Sequence, residues 1–287
     1  MRKLIFILVA ASLLPACSLS QKKVQMVDAR VSESRELSLS CATARADRCA
    51  QDSPVLELGE AALREGSHHL TLLEHGEPSL ALRLHLIRAA RNAIDVQNFI
   101  LRKDDSGELF LNELLDAARR GVKVRLLLDQ MFSFSEARYL LQLTMAHGNL
   151  EIRFYNPSFY KAKMAKHDWV SAVACCFRRF NQRMHNKLMM VDERVGIIGG
   201  RNIADRYFDY DTNYEFKDRD VAVFGATLRD MGVSFDWFWE NRKTVPVQHL
   251  RDVANELLKD PPGELGPYEP PPRFRPLLES TLDTQLM

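Results

Sequence analysis

At 287 residues the chain is long enough for one large domain or two small ones, and for a sizeable core. Apolar residues make up 46% and charged residues 27%, globular values that exclude wholesale disorder, collagen-like repeats and a polytopic membrane protein. Lys+Arg 39 against Asp+Glu 38 gives a net charge of +1, which is not the balance of a strongly basic nucleic-acid binder.

The chain opens with Arg2-Lys3 and an apolar run from Leu4 to Leu14. That run falls short of the ~20 residues a helix needs to cross the hydrocarbon core, so it reads as a secretory signal rather than a span. Its end, Leu14-Pro15-Ala16-Cys17, resembles a bacterial lipobox, in which the signal (residues 1–16) is cut before a cysteine that carries lipid. An ordinary signal peptide with an incidental cysteine is the alternative. Ser18, rather than an acid, follows Cys17, which in such lipoproteins implies an anchor in the outer membrane with the chain facing the periplasm. Loss of the leader leaves 37 basic against 38 acidic residues, a balance of −1. Export puts the cysteines where disulfides persist. Cys41 and Cys49 flank a short polar stretch and suit a small stapled loop; Cys175 and Cys176, after Ala172-Val173-Ala174, read as buried free thiols. No cysteine–histidine spacing suggests zinc.

Residues 17–55 are polar without a sustained period and read as a tether ahead of a domain over 56–250. Within the domain, Leu70–Leu73 is a short strand, Leu80–Arg91 a helix, and Ile94–Leu101 a largely apolar strand. Asp104-Asp105-Ser106-Gly107 is a turn, Leu109–Arg120 a helix stopped at Gly121, and Val122–Leu128 a strand. A helix over Glu136–Ala146 and a strand over Leu150–Phe154 follow. Further on come a strand at Arg219–Phe224 and a helix over Thr227–Trp239, whose Leu228, Met231, Val233, Phe235, Trp237 and Phe238 read as core. Residues 251–287 hold a weak helix (His249–Lys259) and a proline-rich tail without regular elements. This alternation predicts an α/β fold with a mixed or parallel sheet.

The chemistry concentrates between Met184 and Phe208, MHNKLMMVDERVGIIGGRNIADRYF. His185 and Lys187 lie two apart and, on a strand, share a face. Asp192-Glu193-Arg194 suits a hairpin turn, and Val195–Ile198 returns as a second strand. Gly199-Gly200 permits close backbone approach, and Asn202 follows, able to come back near His185. A neutral imidazole is a competent nucleophile toward phosphorus. Lys187 and the Asn202 amide could neutralise the phosphate oxygens without a metal, so no cofactor is called for. A carboxylate is needed to orient the imidazole.

The spacing His185, Lys187, Asp192, Gly199-Gly200-Arg201-Asn202 resembles the signature of the phospholipase D superfamily. The wording MHNK with GGRNIADRYF is closest to the first half of bacterial cardiolipin synthases. Ile94-Asp95-Val96-Gln97 with Phe99-Ile100, Gly121 through Asp129, and Phe216 through Val221 agree in order. The resemblance covers residues 55–250 and implies a mixed sheet flanked by helices. It also implies a phospholipid substrate and a phosphohistidine intermediate on His185. Lys187 and Asn202 become phosphate ligands. Asp192, of opposite strand parity to His185, becomes a supporting residue. Asp218 becomes the acid that orients the histidine, with Glu215 and Asp220 competing for that role.

The family site uses two such motifs, and none of the other seven histidines has a lysine two residues on. The resemblance therefore implies either a homodimer or a second motif-bearing half, and an incomplete half-enzyme is a further reading. A periplasmic phosphodiesterase or nuclease is the alternative activity, weakened by the near-neutral charge.

Overall fold

The computed structural model describes residues 18–36, 38 and 49–281. The leader, Cys17 and Cys41 lie outside the described residues; Cys49 is disulfide-bonded. One eight-stranded mixed sheet organises the chain, in the order β1-β7-β6-β5-β2-β3-β4-β8. The strands are β1 (His68–Leu73), β2 (Ala93–Asn98), β3 (Lys123–Asp129), β4 (Leu150–Tyr155), β5 (Leu188–Val191), β6 (Val195–Gly199), β7 (Asp220–Gly225) and β8 (Thr244–Pro246). The helices are α1 (Gln21–Glu33), α2 (Pro54–Glu65), α3 (Gly76–Ala89), α4 (Asp105–Arg119), α5 (Ala137–Ala146), α6 (Lys166–Phe180), α7 (Thr227–Trp239), α8 (Arg251–Lys259) and α9 (Arg275–Ser280).

Two halves of the sheet differ in connection. β2, β3 and β4 run parallel, and α4 and α5 make the crossovers that parallel pairing demands. β5, β6 and β7 form an antiparallel meander, β5 and β6 joined by a tight turn and β6 and β7 by the long segment 200–219, and β5 pairs antiparallel with β2. On the principal core face, Ile94, Val96, Val124, Leu126, Ile152 and Phe154 meet α3, α4 and α5. On the other face Leu127, Leu188 and Met190 pack against Phe235 and Trp239 of α7. Asp95 of that face is held across the ladder by Arg125, at 2.6 and 2.8 Å.

Several expectations are corrected. The segment Asp104–Gly107 is not a free turn: Asp104 caps α4, accepting the Gly107 N–H at 3.2 Å, and the helix starts at once. The stretch expected to be a polar tether contains α1, whose Val27 and Val31, one turn apart, are buried in the main core. The proline-rich tail ends in α9, and Phe274 and Leu277 are buried there. On α7 only one stripe packs: Leu228, Phe235 and Trp239 are buried, while Val233 and Trp237 are 65% and 63% exposed. Cys175 and Cys176 are neither buried nor free. They are exposed, joined to one another, and lie where α6 departs from helical geometry at Cys176.

Candidate active site

The site lies at the carboxyl ends of the parallel strands β2 and β3, where open α/β sheets commonly bind ligands. His185 and Lys187 are not in the ladder itself; they sit on the extended segment that leads into β5 at Leu188. The two side chains nonetheless converge. Lys187 Nζ lies 3.5 Å from His185 Nδ1 and donates to the His185 carbonyl at 2.9 Å. Lys187 is buried while His185 is exposed. Phe99, just past β2, packs its ring 4.6 Å from the imidazole, and Lys187 Nζ stands 5.5 Å over the same ring.

Asn202 arrives from the far end of β6. It is buried, and its Oδ1 accepts the Ile100 N–H at 3.0 Å, which ties the loop to the end of β2. The two glycines before it are dictated by the carboxylates of the next strand. A Cβ on Gly199 would overlap the Asp220 carboxylate, and one on Gly200 would sit 2.5 Å from Asp218 Oδ1.

The three acids that competed for the histidine separate cleanly. Asp220 is buried among Arg83 at 3.1 Å, Ser79 at 2.8 Å and Arg201 at 3.4 Å. Burial alone would raise its carboxyl, but Arg83, Ser79 and Arg201 together hold it below the ordinary carboxylate value. Glu215 is exposed and pairs with Lys217 at 2.6 Å. Asp218 is half-buried, and its charge acts on both His185 and Lys187.

Burial, then the Lys187 charge, push His185 below the ordinary imidazole value, against the opposing pull of Asp129 and Asp218. The result favours the neutral ring at neutral pH. Burial also lowers Lys187, opposed by Asp218 and Asp220.

Asp192 is not in this cluster. It closes the opposite end of the β5–β6 hairpin, where its carboxylate accepts the backbone N–H groups of Arg91, Asn92 and Ala93 at 2.9, 2.7 and 2.8 Å. Its φ of 51° and that of Glu193 at 55° form the tight turn.

Two contributors escaped the sequence reading. Phe99 supplies the aromatic floor. Asp129, fully buried at the end of β3, accepts the Met184 N–H at 3.0 Å and pairs with Arg183 at 3.3 Å, fixing the backbone just before His185. Both sit at carboxyl ends of apolar strands, the positional signal that could have found them. Among the described residues, no group of three or more His, Cys, Asp or Glu could hold a metal ion.

Residues 84–224 match the family model described as "Cardiolipin synthase, PLD-like domain". The chain belongs to the phospholipase D superfamily. Members of this superfamily are phosphodiesterases and phosphatidyltransferases. An uncharacterized protein of Helicobacter pylori is 38% identical over 216 residues, 75% of this chain and 42% of that one. Cardiolipin synthase C of Escherichia coli is 35% identical over 188 residues, 66% of this chain and 38% of that one. The chain thus spans about two fifths of the length of these curated relatives. Among solved structures, NucT from Helicobacter pylori aligns with a TM-score of 0.43 at 15% identity, covering 63% of this chain and 98% of that one.

Proposed function

We propose that this chain carries one catalytic half of a phospholipase D-type phosphatidyltransferase or phospholipase, cardiolipin-synthase-like in chemistry. The observation that carries the reading is an exposed, deprotonation-prone His185 against buried Lys187 and under the charge of Asp218, with buried Asn202 tied to Ile100 next to the Phe99 that packs on the imidazole. One nitrogen of neutral His185 attacks the phosphorus of a glycerophospholipid. The bond from phosphorus to the head-group oxygen breaks, and the leaving alkoxide takes a proton from an acid on a second motif. Lys187 and the Asn202 amide stabilise the charge on the phosphoryl oxygens. The phosphatidyl-histidine is then resolved by an alcohol, giving transfer, or by water, giving phosphatidic acid. Asp218 favours the ring that has kept its second proton.

The groups around His185 are Phe99, Lys187, Asp129 and Asp218, and none is a histidine. One imidazole cannot be neutral nucleophile and charged acid at the same moment, so a second copy of the chain or a separate motif-bearing half supplies the acid. A lipid on Cys17 would hold the site beside its substrate in the outer membrane, facing the periplasm.

The test is turnover of phosphatidylglycerol, with duplex DNA as the competing substrate, by the protein alone and across a range of concentrations. Phosphatidylglycerol turnover that rises with dimer formation supports the reading. Preference for DNA would make the protein a nuclease instead. A folded monomer inactive at every concentration points to a half whose partner is another polypeptide.

A further inference from the structure

Helix α6 is built inside out. It docks on the domain through Asp168 and Ala172, its buried residues. Its apolar side chains point the other way: Trp169, Val170, Val173 and Phe177 are 40%, 71%, 55% and 56% exposed. Their spacing of one, four and eight residues places them on one stripe, the pattern that normally faces a core. The helix is interrupted at Cys176, yet Trp169 packs edge-on against Phe180 at 5.5 Å, keeping the apolar groups on either side of the break together.

Charge accompanies the stripe. Residues 161–183 hold six Lys and Arg against one acid, Asp168, in a chain whose net charge is +1. That acid is consumed by Lys161 at 2.7 Å. Lys163, Lys166, Arg178 and Arg179 are exposed and make no ion pair among the described residues.

We propose that α6 lies in the surface of an anionic phospholipid bilayer, with Trp169, Val170, Val173 and Phe177 among the upper acyl chains and the four cations at the head groups. This rests on the lipid reading of the site and adds the physical state of the substrate: an assembled membrane surface. At roughly 1.5 Å per residue the helix is about 22 Å long, too short to cross a ~30 Å core and suited to lying in the interface. Aliphatic valines have nothing to stack on a nucleic acid, which argues for acyl chains. A second copy would oppose like charges across a two-fold axis, which argues against self-pairing on this face. The cations supply the attraction to acidic head groups. The link to chemistry is short: Phe180 contacts Arg183, Arg183 pairs with Asp129, and Asp129 holds the backbone of Met184 next to His185.

The experiment uses the full chain, with brominated phospholipids as quenchers. The fluorescence difference between wild type and Trp169→Phe isolates this tryptophan from Trp237 and Trp239, so an anchor elsewhere in the chain does not interfere. We expect Trp169 to be quenched by bromines about 5–10 Å below the head groups in vesicles containing phosphatidylglycerol. The effect should fade in pure phosphatidylcholine and with added salt. The double variant Val170→Asp/Val173→Asp should abolish the quenching while its unfolding midpoint stays at the wild-type value. Trp169 remaining in water beside both bilayers overturns the proposal. So does shielding of Trp169 that appears only on dimerisation, or only with duplex DNA. Insertion of Trp169 in a protein that turns over duplex DNA in preference to phospholipid supports this proposal and overturns the functional reading. Turnover with Trp169 still in water does the reverse.

Discussion

The two ends of the β5–β6 hairpin carry residues of one motif and do opposite work. At the turn, Asp192 spends its carboxylate on three backbone N–H groups and pins the start of β2. At the open end, His185 is exposed and, among the described residues, its ring has no hydrogen-bonded carboxylate, while Lys187 lies beside it and Asn202 holds the Ile100 N–H at the end of β2. In the proposed reaction one motif is therefore half scaffold and half reagent. Strand geometry decides which, because residues seven apart lie both on opposite faces and some 20 Å apart along the chain, at about 3.3 Å per residue.

Substitutions at the two ends should act differently. His185→Ala should abolish phosphodiester turnover in whichever assembly is active, with the circular dichroism spectrum and melting curve unchanged; residual activity in the folded variant would remove His185 from the reaction. Asp220→Ala should act on the scaffold instead. It strands Arg83 and Arg201 in the interior and should cost about 3–5 kcal/mol in a denaturant titration. Lys187→Ala should lower kcat by about 100-fold or more, the usual consequence of losing one charge-stabilising donor.

Asp192→Ala sharpens the contrast. Loss of three carboxylate hydrogen bonds should cost about 2 kcal/mol of stability, while kcat of the folded fraction stays within about threefold, as expected of a group that touches no reacting atom. A kcat collapse with normal stability would move Asp192 into the site. The smallest effect is expected from Asp218→Asn on the pH profile. A neutral nucleophile is fully available above the His185 pKa and is lost as pH falls through it. Because Asp218 raises that pKa, its removal should shift the acidic limb of kcat/KM toward lower pH. A shift in the other direction would show that the carboxylate does not face the imidazole.

The sequence showed most of this where one period or one spacing governed. The strands flanking the parallel core and the span of α7 followed from apolar patterning, and His185, Lys187 and Asn202 from fixed gaps. It failed where the governing partner was distant. Asp218, Glu215 and Asp220 are interchangeable on paper; Arg83 and Arg201, over a hundred and nineteen residues away respectively, withdraw Asp220 into an ion cluster. Helix α1 was hidden because two valines suffice to dock it. Helix α6 was hidden because it has almost no inward apolar stripe to detect: its stripe faces out.

The candidate site draws on two strand connections, β4–β5 and β6–β7. His185 and Lys187 precede β5, Gly199 through Asn202 follow β6, and Asp218 precedes β7, with β5, β6 and β7 adjacent in the sheet. The residues proposed as nucleophile, phosphate donors and orienting acid therefore share a single antiparallel meander, and such a unit opens cooperatively. Under mild denaturant, hydrogen exchange at the Ile197 and Ala222 amides should rise in step with loss of turnover, while the α4–β3 crossover is still protected. Catalytic competence would then report the local stability of some forty residues rather than the melting of the whole domain.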